Sequence, residues 1–157
     1  MKISDLLIVS YLRQDARMKL TDMSRAIRIP VSTLFDKIKT YEGSLIKKNT
    51  ALVRFERFGY QAKAMIVFSA RKKDRQKLFE ILNKNSNVNS LCRVNNEWDY
   101  MAEVVFVGVK EVEDFLEDIE EQVKLKNKKI FYVIDEIKKE EFLANPKKAQ
   151  MIWKAQK

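Results

Sequence analysis

The chain has no histidine, one cysteine, two prolines and three glycines among its 157 residues. Without histidine it lacks the side chain that most often serves as general base and as metal ligand near neutral pH. Its remaining carboxylates and Cys92 form no motif at catalytic spacing, so no enzymatic activity, cofactor or metal is expected. A lone cysteine allows no intrachain disulfide, which fits a reducing, cytoplasmic setting, and Cys92 reads as a small buried apolar residue. The scarcity of glycine and proline excludes a loop-rich or disordered chain. Apolar runs such as Ala64–Phe68 fall far below the roughly 18 residues that span a bilayer, and Met1–Leu7 has no sustained apolar stretch. Neither a membrane location nor a signal peptide is expected.

What remains is a globular composition, 46% hydrophobic and 34% charged, with a formal charge of +9. The excess is uneven: residues 1–58 carry 12 basic and 6 acidic side chains, against 19 and 16 in residues 59–157. A field concentrated in the first third attracts polyanions, without specifying which sequence they carry.

Residues 20–43 organise the rest. They read as two helices joined by a turn at Arg28-Ile29-Pro30, with Met23 and Ile27 inward on the first and Leu34, Ile38 and Tyr41 inward on the second. Pro30 suits the opening of a helix and Gly43 a left-handed stop, while Arg28 is expected at an ordinary negative φ. The opposite face of the second helix then presents Ser32, Thr33, Asp36, Lys37 and Thr40, polar groups that can reach base edges. Arg25, Arg28, Lys39, Lys47 and Lys48 stand nearby as candidate phosphate contacts. An ordinary amphipathic surface helix shares this periodicity. Context favours a winged helix-turn-helix: a supporting helix capped by Ser4 or Asp5, with Leu6, Ile8, Val9 and Leu12 as its core stripe, precedes it, and an extended stretch at 45–58 follows.

Beyond Gly59 the order is strand 63–70, helix 73–85, strand 87–95, strand 98–107, helix 109–123, strand 128–137, a βαββαβ pattern that predicts a ferredoxin-like antiparallel sheet with both helices on one face. The expected fold is therefore α+β, divided into a winged helix-turn-helix domain at 1–58, a ferredoxin-like domain at 59–140 and a helical C-terminal tail at 141–157 with Met151 and Ile152 inward. In helix 109–123, Val112, Phe115, Leu116, Ile119 and Val123 make one stripe and the acidic residues lie elsewhere. The strands contain continuous apolar runs where a sheet with one wet face should alternate. Met65, Val67, Val105, Val107, Phe131 and Val133 are thus expected to meet the sheet of a second subunit, giving a homodimer or higher homo-oligomer.

Three groups of residues carry a resemblance to a known family: Asp5–Val9 with Asp15-Ala16-Arg17; Val31–Leu34 with Ile38 and Gly43; and Glu97–Tyr100 ahead of an apolar strand. In this order the chain resembles the Lrp/AsnC (leucine-responsive and asparagine-responsive) transcription regulators over about residues 3–140. The resemblance implies an N-terminal domain that binds double-stranded DNA as a dimer, and a C-terminal domain that dimerises and senses a small, amino-acid-like effector. It points to Asn96 and Asp99 as candidate effector residues. There are departures: Arg28 and Pro30 replace the family's glycine and serine, Asn96 replaces a hairpin glycine, and Lys128–Glu136 lacks the small and hydroxyl residues of the family's pocket. Siroheme decarboxylases share the scaffold and supply an enzymatic alternative; a non-sequence-specific architectural or effector-binding protein is another.

Overall fold

A computed structural model describes residues 2–155, so positions 1 and 156–157 of the expected domains lie outside the described residues. The chain divides into two compact units, one of residues 1–52 with 137–157 and one of residues 53–136. The tail thus belongs with the N-terminal helices and not to a third segment.

The first unit holds helices α1 (Ile3–Gln14), α2 (Leu20–Ile27), α3 (Val31–Glu42) and α6 (Pro146–Ala155). Ile8, Met23, Leu34 and Tyr41 form its core, with Leu12, Ile27, Ile38 and Ile46 packed around them. The helix begins before Ser4 and Asp5, not after them. Asp5 occupies its first turn, where Oδ2 accepts the Lys2 N–H at 2.7 Å, close to the positive end of the helix dipole.

Ser10, a residue outside the expected stripe, is fully buried. Its hydroxyl donates to the Leu143 carbonyl at 2.6 Å, while Arg13 Nε donates to the Phe142 carbonyl at 2.6 Å and Arg13 Nη2 to the Glu140 carbonyl at 2.9 Å. These bonds fasten the tail to α1. They also hold two non-glycine residues in the left-handed region, Glu140 at φ 53° and Leu143 at φ 60°. The most inward residue of α6 is Ala149, fully buried, whereas Met151 is 70% exposed and Ile152, at 37%, is partly covered. Asn145 fixes this register by accepting the N–H groups of Lys147 and Lys148 at 3.0 and 3.2 Å, and alanine's small side chain lets the helix lie close to α1.

Two turns differ from expectation. Gly43 has φ −95°, ordinary right-handed geometry, because the carbonyl of Tyr41 gathers the N–H groups of Ser44, Leu45 and Ile46 without a left-handed step. Arg28 takes the left-handed conformation instead, at φ 56° and ψ 45°, and ends α2. There the Ser24 carbonyl accepts both the Arg28 and the Ile29 N–H, and the Ser24 hydroxyl returns a 2.6 Å bond to the Ile29 carbonyl. The left-handed conformation costs an L-residue roughly 1 kcal/mol; glycine removes that cost, but its greater freedom when unfolded takes back part of the gain. Arg28→Gly should therefore raise the stability of the helical unit by about 0.5 kcal/mol, read as an upward shift in its urea midpoint. A lower midpoint would show that the arginine side chain contributes more than its backbone costs.

The second unit contains β1 (Ala62–Ala70), α4 (Arg75–Lys84), β2 (Val88–Arg93), β3 (Tyr100–Phe106), α5 (Val109–Gln122) and β4 (Leu125–Tyr132). The sheet order is β2-β3-β1-β4, every pairing antiparallel, which is the ferredoxin-like arrangement. Helices α4 and α5 bury one face against Ile66, Phe68, Ala102 and Val104, and the α5 stripe of Val112, Phe115, Leu116, Ile119 and Val123 is buried as its spacing requires. The last strand begins and ends earlier than 128–137. Its pairing with β1 runs from Ala70↔Leu125 to Ala64↔Tyr132, and by Ile134 the chain is fully exposed. Residues 45–54 form no strand, because no neighbouring strand offers them hydrogen bonds; only a short 3-10 turn, Phe55–Phe58, follows, and Gly59 leaves it at φ 89°. Cys92 is exposed on the edge strand β2 and not buried.

Candidate nucleic-acid interface

The apolar spacing of α3 turns Leu34 and Tyr41 into the core, with Ile38 packed against it, and leaves the opposite face toward solvent. Ser32, Thr33, Asp36 and Thr40 of the expected base-facing set are exposed, although the Thr40 hydroxyl bonds back to the Asp36 carbonyl at 2.9 Å. Arg25, Arg28, Lys39, Lys47 and Lys48 are exposed as well; Arg25 has only a loose ion pair with Asp22 at 3.5 Å.

Lys37 departs from that set. It lies beside the core edge, with Nζ 2.7 Å from Asp5 Oδ1, which also accepts the Tyr41 hydroxyl at 2.8 Å. The carboxylate thus takes a lysine, a phenol and the Lys2 N–H together. The Lys37 ammonium, then the Lys2 amide, hold the Asp5 carboxyl far below the ordinary carboxylate range. The same contact raises Lys37, while burial, followed by the hydrogen bond to Asp5, raises the Tyr41 phenol. Spacing from Thr33 put Lys37 on the polar face; the signal for its inward bend was Asp5, 32 positions away in the chain.

Sequence reasoning missed Phe35. This residue is 57% exposed on the outward face of α3, one turn beyond Val31, which is 40% exposed. Attention to the apolar stripe alone obscured it, since Phe35 directly follows the buried Leu34.

The Lrp/AsnC ligand binding domain model matches residues 63–142, just over half of the chain. The chain belongs to the Lrp/AsnC family of transcription regulators. It is 26% identical over 149 residues to an uncharacterised HTH-type transcriptional regulator of Pyrococcus furiosus, covering 93% of this chain and 100% of that one. A second such regulator, from Pyrococcus horikoshii, is 25% identical over 140 residues, covering 88% and 94%. Among solved structures, the Neisseria meningitidis transcriptional regulator in complex with L-Met superposes with TM-score 0.79 at 22% identity, over 88% of this chain and 93% of that one. LrpC of B. subtilis gives 0.77 at 19% identity, over 88% and 96%.

In this Lrp/AsnC ligand binding domain, Asn96 turns the β2–β3 hairpin at φ 63°, a conformation asparagine tolerates. Asp99 already has protein partners. Its Oδ2 accepts the Ala70 N–H at 2.8 Å and its Oδ1 stands 2.7 Å from Arg75 Nε, so the carboxylate braces β1, β3 and α4. On the sheet face away from α4 and α5 lie Met65, Val67, Val105, Val107, Phe131 and Val133, as the register of β1 with β3 and β4 dictates. Val107 and Phe131 are the most exposed of them, Val105 is buried, and Lys129 Nζ sits 5.0 Å over the Phe131 ring. Within this face, Lys63 reaches Glu136 at 2.5 Å and Glu103 at 3.5 Å, and Asn89 donates to Glu103. Among the described residues no helix is long and apolar enough to cross a membrane, and no cluster of three metal-type ligands occurs.

Proposed function

We propose that this Lrp/AsnC regulator acts as a homodimer or larger assembly that reads pseudo-palindromic duplex DNA through α3, with a small-molecule effector bound by its ferredoxin-like unit. One observation supports the DNA reading above the rest: α3 carries an exposed face of Ser32, Thr33, Phe35, Asp36 and Thr40 in a unit whose Arg25, Arg28, Lys39, Lys47 and Lys48 are all exposed. Cations at the margins neutralise phosphates and supply affinity, while the helix face supplies choice of sequence. A pair of identical heads favours a site with two related half-sites.

Support for self-association comes from the uncovered sheet face, which exposes Val107 and Phe131 amid half-buried Met65, Val67 and Val133. The family of the second unit, together with the L-Met complex of the Neisseria meningitidis regulator, supports an amino-acid-like effector. L-Methionine is accordingly the first probe for calorimetric titration of the intact protein.

Selection of bound fragments from random duplex DNA tests the reading, with affinity followed against salt. A consensus with two-fold symmetry and a steep loss of affinity with salt are expected. Lys47→Ala and Lys48→Ala should each weaken binding to all sequences alike and flatten the salt slope by about one unit. Affinity indifferent to salt, or no duplex bound at all, would overturn it.

A further inference from the structure

We infer that Phe35, backed by Val31, is a specificity-determining residue that reads the 5-methyl group of a pyrimidine in the major groove. The inference rests on the DNA reading of α3 proposed above. Single exposed apolar side chains are common on protein surfaces, but Phe35 and Val31 are four residues apart, so they form one apolar ridge along the outward side of the helix. Polar neighbours flank that ridge: Ser32 and Thr33 at one end, Asp36, Lys39 and Thr40 at the other. Phe35 is 57% and Val31 40% exposed within the described residues.

Charge and chemistry select its occupant. The first 58 residues carry 12 basic against 6 acidic side chains, and exposed cations surround α3, which favours a polyanion over an uncharged or basic protein surface. Base edges in the major groove offer hydrogen-bond donors and acceptors, which a phenyl ring cannot use, and one apolar group, the pyrimidine 5-methyl. With Lys37 drawn to Asp5, Phe35 is the large apolar side chain that α3 exposes beside its polar face. Asp36 beside it accepts hydrogen bonds, which suits a cytosine amino group at an adjacent step. Thymine is the ordinary source of the methyl group, and 5-methylcytosine supplies the same group on a different base.

The test uses the full chain and a duplex selected from a random pool, with affinities measured at one fixed salt concentration. Replacing thymine by uracil removes only the methyl group, and at the contacted position it should weaken wild-type binding about four-fold per half-site, the change expected when one buried methyl is lost. Phe35→Ala should lose a similar factor and become indifferent to the uracil exchange, while Phe35→Leu should keep part of the preference. If 5-methylcytosine at a cytosine of the same half-site strengthens wild-type binding and not Phe35→Ala, the methyl contact stands and its source is the modified base. Uracil and 5-methylcytosine both without effect, on a duplex that the protein still binds, would overturn the role of Phe35 and leave the DNA reading intact. Failure to bind any duplex would remove both. A change in the solution mass of Phe35→Ala would overturn the inference in favour of a second copy of the chain on this ridge.

Discussion

Asp5→Ala should lower the thermal midpoint of the helical unit by about 10 °C, corresponding to roughly 2 kcal/mol. The loss comes from what the carboxylate leaves behind. Tyr41 is only 7% exposed, so its hydroxyl, now bonded to Asp5 at 2.8 Å, would face the core edge without an acceptor. The Lys2 N–H would lose its acceptor at the start of α1, and the helix would lose the negative charge in its first turn. Lys37 adds less, because its side chain remains partly in water and can be solvated when its partner goes. Lys37→Met should therefore cost distinctly less than Asp5→Ala. Asp5→Asn, which still accepts hydrogen bonds, should fall between wild type and alanine.

The same contact has a pH signature with a definite sign. In the folded protein the Asp5 carboxyl lies far below its ordinary value of 3.8, so folding is favoured by the ionised form. Its contribution is complete above that ordinary value and is lost progressively as pH falls below it toward the depressed folded value. The stability gap between wild type and Asp5→Asn should be constant from neutral pH to about pH 5, then narrow below about pH 4. A gap that stays constant to pH 3 would show that the carboxylate contributes by shape and not by charge.

Such a contact marks where the sequence ceased to be legible. Local periodicity was enough for the helices and for the βαββαβ order, because a buried stripe such as Val112, Phe115 and Leu116 is written at fixed spacing. Pairings between distant residues were not written that way. Lys37 sits at the right angle on α3 to face outward, and only the carboxylate of Asp5 turns it aside. Ser10 reads as a polar residue on a surface helix until the Leu143 carbonyl arrives from the far end of the chain. The left-handed Arg28 violated a sound local rule, since the Ser24 carbonyl and hydroxyl together stabilise a turn that arginine alone disfavours. Residues 45–54 show the opposite failure: their alternation is that of a strand, but a strand exists only with a neighbour to accept its hydrogen bonds. Phe35 went unnoticed and the partners of Asp99 stayed hidden for a common reason, as residue type tells what a side chain can do but not which neighbours surround it.

If the protein assembles through its sheet as proposed, Phe131→Asp should yield single subunits and reduce affinity for a two-half-site duplex by about 100-fold or more, because the second head would no longer be delivered at high effective concentration. Phe131 is the informative position because it is 48% exposed within its own subunit, so a carboxylate there stays hydrated and leaves the sheet intact. Pressed against a second sheet, the same carboxylate would lose its water without gaining a partner. Lys63 and Glu103 could not serve as well, although they share the face. Their side chains are only 14% and 12% exposed and they pair with each other, with Glu136 and Asn89 as further partners, so changing either would disturb a network inside the subunit and confuse folding with assembly. Phe131→Leu provides the control: it keeps the face apolar and should keep the assembled mass. Sedimentation of the three proteins, with circular dichroism to confirm that each is folded, separates the cases. An aspartate variant with the wild-type mass and wild-type duplex affinity would mean that this side of the sheet faces water, and the two-headed reading of DNA would then need another contact to hold the heads together.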